Sequence, residues 1–277
     1  MNVDKSNIPF ATLHNHSTFS TGDSLGFPDE HINYALKHGL VGIAISDHGN
    51  MNNVSYSYLE SQKLKKAGVS GFKVHYGIEA YVHPSIDDWR QEREEYKKNK
   101  KLAKQIVETQ EIESENENES KNNKVKNPLN KRGHLLLIAQ NQKGLENLFK
   151  LTSESYTGDN FYRYPRMDYQ MLKKYNDGII ASTACISSVI GKFAYYPNKD
   201  KTELEIREAV SKELGKLIDI FGINRFYGEL QWANNEDQHR INTILIELSK
   251  IYGYKLISTC DAHFTSPDKW KDREIYK

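Results

Sequence analysis

The chain has 277 residues, enough for one large domain or two small ones with a substantial core. Its charges balance at +1, which excludes a surface built throughout to hold nucleic acid while leaving room for a local basic patch. Only Cys185 and Cys260 are present, which excludes a disulfide framework, so each is either a core thiol or a ligand.

The opening residues MNVDKSNIPF lack the basic and apolar regions of a secretory signal. No apolar stretch reaches the length of a membrane span, so a cytoplasmic protein without a membrane partner is expected. The first predicted strand is FATLH (10–14). A helix follows in PDEHINYALKHG, with Pro28 near its start and Gly39 just past its end, the asymmetry of a helix. Strands are then predicted at VGIAIS (41–46) and KVHYGIEAYV (73–82).

Residues 88–132 break this rhythm. A helix is predicted from Asp88 to Val107, then a disordered loop that swings from an acidic block (111–119) to a basic one (121–132). Such a polar insertion buries little, so deleting about residues 108–130 is expected to leave the core folded, with an unchanged melting temperature as the check.

Further strands are predicted at HLLLIA (134–139), GIIASTA (178–184), RFYGELQ (225–231) and YKLISTC (254–260). Between them, a helix opens with the capping box Thr202 and Glu205 and places Val210, Leu214, Leu217, Ile218 and Phe221 on one face. Another, from Glu236 to Tyr252, aligns Ile241, Ile244, Leu248 and Ile251. Seven strands alternating with helices predict an α/β fold with a parallel sheet closed or nearly closed into a barrel, one domain over 1–277.

Residues able to bind metals gather at strand ends. His14 and His16 end the first strand and point to the same side of an extended chain. Asp47 and His48 end the second, Glu79 lies in the third, and His134 begins the fourth. Cys185 follows the fifth, while Asp261 and His263 end the seventh. In a parallel barrel the C-terminal strand ends share one face, so these nitrogen, oxygen and sulfur donors would meet there as a metal site. Each piece alone also has a plain structural reading, from turn residue to buried thiol.

The stretches HNHSTFSTGD, ISDHGNM, GIEAYV, HLLLIAQNQKGLENLFKL, STACISS, FYGELQ and CDAHF resemble the successive motifs of the PHP (polymerase and histidinol phosphatase) family. They are most similar to the PHP domain at the start of the bacterial DNA polymerase III alpha subunit. That resemblance implies a distorted seven-stranded barrel holding three divalent metals, zinc or manganese, with iron as a further candidate. It assigns His14, His16, Glu79 and Asp261 to the first metal, and Glu79 as a bridge with His134 and Cys185 to the second. Asp23, His48 and His263 would hold the third. Asn15, Gly22 and Ser24 depart from the family's usual residues without removing a ligand.

The chemistry implied is phosphoester hydrolysis, with Asp23, His48, Glu79 and Asp261 as catalytic groups. In the polymerase branch this means a 3′ to 5′ exonuclease on DNA ends, in replication or proofreading. The alternatives are a non-catalytic module supporting the rest of a replicative polymerase, and a small-molecule phosphatase of the histidinol phosphatase type. No palm, thumb or finger region follows within these 277 residues, so the chain by itself is not expected to polymerise DNA; an excised domain and a stand-alone product both fit. FYRYPRM (161–167) is expected to overhang the metal face, with Arg163 and Arg166 clamping phosphates of a single-stranded 3′ end and Tyr162 or Tyr164 stacking on a base.

Overall fold

A computed structural model describes residues 8–110 and 131–277. Most of the charged loop expected after residue 107 therefore lies outside the described residues. Among those described, no helix is long and apolar enough to cross a membrane.

All seven predicted strands form, in one sheet that curls into a nearly closed barrel. The first three, β1 (Ala11–Thr12), β2 (Gly42–Ile45) and β3 (Lys73–Val82), run parallel. Helix α1 (Pro28–Lys37) connects β1 to β2, and α2 (Asn53–Lys66) connects β2 to β3. Then comes α3 (Ile86–Gln110), covering the helix predicted there, before β4 (Gly133–Ala139). Next come α4 (Gln142–Ser155), a small hairpin of β5 (Phe161–Tyr162) and β6 (Tyr164–Pro165), α5 (Tyr169–Tyr175) and β7 (Ile179–Ser182). Helix α6 (Glu203–Phe221), β8 (Phe226–Gln231), α7 (Glu236–Tyr252), β9 (Lys255–Thr259) and α8 (Trp270–Tyr276) complete the chain. The sheet order is β1-β2-β3-β4-β7-β8-β9. Just past β1 and β9 the edges meet, where His16 N–H donates to Ala262 O (2.8 Å) and Ala262 N–H to His14 O (3.1 Å).

One strand corrects the all-parallel expectation: β4 is antiparallel to both β3 and β7. The last residue of β3, Val82, pairs with the first of β4, Gly133, so β4 begins at the rim where β3 ends. The consequence is functional. In a parallel strand His134, at the N-terminal end, would sit at the far mouth of the barrel; reversal brings it to the rim that carries His14 and His16.

The alternation of β3 divides its side chains between two environments. Ile78, Ala80 and Val82 face the helices and join the main core with Leu135 and Leu137 of β4, while Glu79 is fully buried on the other face. The predicted caps form: Thr202 Oγ1 accepts from Glu205 N–H, and the Glu205 carboxylate accepts from Thr202 N–H. Val210, Leu214, Leu217 and Phe221 are buried as their spacing requires, with Ile218 beside them half-buried, and Ile241, Ile244 and Leu248 are buried as well. Ile251 is the exception at 62% exposure, because the final turn of α7 runs past the core and residues 251–253 are all exposed.

Candidate metal centre

His14 and His16 leave β1 two residues apart with both rings fully buried and 5.1 Å between centroids. Asn15, between them, turns away and fastens β1 to β2, donating to Ala44 O (2.9 Å) and accepting from Thr12 Oγ1 (2.9 Å). That explains a polar residue at this departure from the family pattern. Glycine is required beside His48: a Cβ on Gly49, at φ 65°, would stand 2.8 Å from the Tyr81 ring.

Glu79 is the hub. Its Oε2 lies 2.6 Å from His48 Nδ1 and 2.9 Å from His134 Nδ1, and its Oε1 lies 3.2 Å from His14 Nε2. Asp261 Oδ1 lies 3.1 Å from His16 Nε2 and 3.4 Å from His14 Nε2. Asp23 Oδ2 faces His48 Nε2 (3.2 Å) and His263 Nε2 (3.3 Å). Cys185 Sγ stands 3.6 Å from His134 Nδ1 and 3.8 Å from Glu79 Oε1. All nine candidate ligands predicted from the sequence thus fall in one cluster. Three subsets of it have ligand atoms mutually within 4.8 Å: His14, His16 and Glu79; His48, Glu79 and His134; His16, His48 and His263. These cut across the sequence-based partition at His48, whose two nitrogens face different carboxylates.

The hydrogen bonds behind the cluster fix what it can bind. His14 Nδ1–H donates to Glu229 Oε1 (2.6 Å), and His263 Nδ1–H donates to Asp261 O (2.8 Å). His16 Nδ1–H donates to Ser20 Oγ (3.1 Å), which in turn donates to Asp47 Oδ1 (2.7 Å). His16, kept neutral by its burial and with Nδ1 committed as donor, turns the lone pair of Nε2 toward Asp261 Oδ1. Acceptors facing acceptors call for a cation between them. The buried atoms without a hydrogen-bond partner agree: they include His14 Nε2, His16 Nε2, Glu79 Oε2 and Asp261 Oδ1. The separations fit as well, because donors about 2.05 Å from a tetrahedral zinc stand about 3.3 Å apart. The residues present therefore suit divalent metals.

Charges shift accordingly. Burial alone would push the His14 pKa down, but the Asp261 and Glu229 carboxylates outweigh it and raise it well above the ordinary range. Burial and the neighbouring His48 lower His16 to about 3. Burial opposes ionisation of Glu79, yet His134 and His14 hold it well below the usual carboxylate range. Hydrogen bonds from His263 and His48 depress Asp23.

The sequence profile of the PHP domain matches residues 12–233. The chain belongs to the PHP family. Among curated relatives, it is 32% identical to the DNA polymerase III subunit alpha of Aquifex aeolicus over 259 residues, covering 94% of this chain and 18% of that protein. It is 31% identical to the DNA polymerase III subunit alpha of Borreliella burgdorferi, covering 96% and 19%. The chain thus spans about a fifth of the length of these relatives. Among solved structures, an amidohydrolase from Chromobacterium violaceum superposes with a TM-score of 0.47 at 11% identity, covering 96% of each chain.

Several residues that support this PHP site are not among its nine predicted ligands. Glu229, fully buried in β8, also accepts from Thr259 Oγ1 (2.5 Å) and from Ser182 Oγ. Asp47 is not in the cluster; it accepts from Ser17 N–H (2.7 Å) and Ser17 Oγ (2.8 Å), pinning the loop after His16. Arg273 on α8 donates to Asp23 Oδ1 (2.6 Å) and Asp23 O (2.7 Å), leaving Oδ2 for the two histidines. The signal for Glu229 was available: a carboxylate inside an apolar strand, as with Glu79. Arg273 had none, because its partner lies 250 positions away.

The cluster floors a cleft of about 970 Å³, where Asp23, His48, His134, Asp261 and His263 are open to solvent and Glu79 is closed off beneath them. Arg163 and Arg132 line its wall. Arg166 does not, which corrects its assignment as a phosphate clamp. It is fully buried, donating to Tyr162 O (2.8 Å) and Tyr164 O (3.1 Å) and lying 4.3 Å from the centre of the Trp89 ring, so it holds the hairpin rather than a ligand. Tyr162 and Tyr164 are also committed to packing: the Arg93 guanidinium covers Tyr162 at 5.1 Å, and Arg132 covers Tyr164 at 3.5 Å.

The two cysteines separate into different environments. Cys260 is exposed, neither core thiol nor cluster member, while burial and the Glu79 carboxylate raise the Cys185 pKa well above normal. A neutral thiol reacts slowly, so the thiolate fraction grows only as pH rises. If Cys185 is a ligand, alkylation at alkaline pH should label Cys260 alone in metal-loaded protein and both cysteines after chelation. Labelling of Cys185 at the same rate with and without chelator would remove it from the ligand set.

Proposed function

We propose that this PHP domain binds divalent metals on the cluster and hydrolyses phosphodiester bonds at single-stranded 3′ ends of DNA. His14, His16, Glu79 and Asp261 would hold one ion, Glu79, His134 and Cys185 a second, and Asp23, His48 and His263 a third. Mixed imidazole, carboxylate and thiolate donors suit zinc, with manganese or iron at the oxygen-rich positions. Bound there, the metals supply Lewis acidity, neutralising the phosphate's charge and lowering the pKa of water.

The chain's own residues do the positioning. Glu229 and Ser20 lock the His14 and His16 rings, and Arg273 occupies one oxygen of Asp23 so that the other faces His48 and His263. Asp23, His48 and Asp261 face the cleft above buried Glu79 and orient the attacking water and the phosphate. The cleft of about 970 Å³ above the cluster has room for a strand end.

The observation that carries this reading is the convergence of histidine, cysteine and aspartate side chains on a fully buried Glu79, with neutral His16 facing Asp261 Oδ1 acceptor to acceptor. A purely structural ion pair would present a donor to each acceptor. The test is a 5′-labelled single-stranded oligonucleotide with added manganese, run beside a panel of phosphate monoesters. A ladder of 3′-shortened products supports the proposal. Monoester hydrolysis without trimming points instead to a small-molecule phosphatase.

A second reading is favoured by the relatives, since the chain corresponds to about a fifth of polymerase subunits. On that reading the domain stabilises the rest of a replicative polymerase in the cytoplasm, and the metals serve the fold. Absence of both activities in fully metal-loaded protein would select it.

A further inference from the structure

Tyr156 and Phe161, on the cleft wall, have no part in the chemistry above. Tyr156 follows α4 and Phe161 opens β5, with a short turn through Gly158 (φ 53°) between them. Their ring centroids are 5.6 Å apart and their planes only 19° apart. Both rings are nearly half exposed, at 47% and 43%, whereas Leu148 and Leu151 of the same helix are fully buried. The pair is therefore a step of stacked rings presented to the cleft, not part of the core.

Two residues further on, Arg163 sits at the tip of the hairpin between β5 and β6, exposed and at φ 58°. That left-handed conformation disfavours any residue but glycine, so an arginine there is held against its backbone preference. Strained positions of this kind gather where a side chain has to be aimed. Arg163 lines the same cleft as Tyr156, Phe161 and the candidate metal residues.

We infer that Tyr156, Phe161 and Arg163 form a grip for the unpaired end of a DNA strand. A nucleobase near the 3′ end stacks on the step of Phe161 and Tyr156, and the Arg163 guanidinium pairs with the neighbouring phosphate. Flat exposed rings beside a cation match the alternation of base and phosphate in single-stranded DNA. Stacking is tolerant of sequence because every base has a π-face, so the grip holds a strand end without reading it. The inference rests on the proposed hydrolysis of DNA ends, but it is tested by binding alone, so the two can fail separately.

The probe is a short 5′-fluorescein oligodeoxyadenylate whose 3′ linkages are phosphorothioate, titrated with the metal-loaded full chain and followed by anisotropy. Phe161→Ala and Tyr156→Ala should each raise Kd by roughly five- to a hundred-fold, and Phe161→Trp should restore binding. Arg163→Gly removes the guanidinium and relieves the left-handed backbone. It should keep or raise the melting temperature while weakening binding and flattening the dependence of log Kd on log salt by about 0.7. Unchanged Kd in folded Phe161→Ala or Arg163→Gly protein, or equally tight binding of a blunt duplex, would overturn the grip. If Phe161→Ala does not fold, Arg163→Gly decides. Wild-type protein that binds the probe through these residues yet fails to trim a cleavable version would overturn the hydrolase reading and leave the grip standing.

Discussion

Replacing Glu79 with alanine should strip the chain of most of its metal and lower phosphodiester hydrolysis by at least about a thousand-fold. Among the described residues, Glu79 alone has a carboxylate that meets His14, His48 and His134 together, at 3.2, 2.6 and 2.9 Å. Truncating it removes donor atoms from two of the proposed ions at once. It also leaves imidazoles that are fully or mostly buried without their counter-charge, and breaking a buried pair from one side costs about 3–5 kcal/mol. His263→Ala makes the control, because it removes one donor at the more exposed edge of the cluster. Metal analysis after dialysis should rank the variants wild type, then His263→Ala, then Glu79→Ala. A Glu79→Ala protein that keeps the full complement would show that the ligand assignment is wrong.

Glu229→Ala should be nearly as damaging although Glu229 touches no proposed metal. Its fully buried carboxylate accepts from His14 Nδ1–H, Thr259 Oγ1, Ser182 Oγ and Gln231 Nε2–H. Removing it strands four donors in the barrel interior, and the cost should again be about 3–5 kcal/mol, a fall in melting temperature on the order of 10 °C. The His14 ring loses the partner that fixes its orientation, which should weaken metal binding by roughly ten- to a hundred-fold. Glu229→Gln keeps the shape and some of the acceptors, so it should recover stability more than metal affinity. A stable Glu229→Ala protein with wild-type metal affinity would show that the hydrogen bond to His14 does not hold the ring in place.

The barrel was legible because its strands are short apolar runs separated by segments of helical period, and all seven appear at the positions read from them. Helix α2 shows where periodicity fails: it buries Asn53, Ser57 and Glu60, so its inward face carries no apolar stripe. The reversal of β4 was equally hidden. A strand's pattern of apolar residues is the same in either direction, and the direction was set by a connection through α3 and a segment without periodicity. Eight of the nine donors were legible as histidine, cysteine and carboxylate residues at strand ends, whereas Asp23 joined the set through the resemblance to the PHP motifs. What supports them was less so. Asp47 resembled a ligand but ties down a loop, and Arg166 resembled a phosphate clamp but is buried against Trp89. For both, environment rather than residue type decided the role, and environment is a property of the folded chain.

The most direct measurement is metal content and 3′-end trimming on the same sample of full chain, before and after chelation. The account predicts tightly held divalent metal on the clusters around Glu79, trimming of a labelled single strand that disappears with the metal, and recovery of both when zinc or manganese is restored. A chain that holds no divalent metal at saturating concentrations, or trimming that continues undiminished after complete chelation, would contradict it.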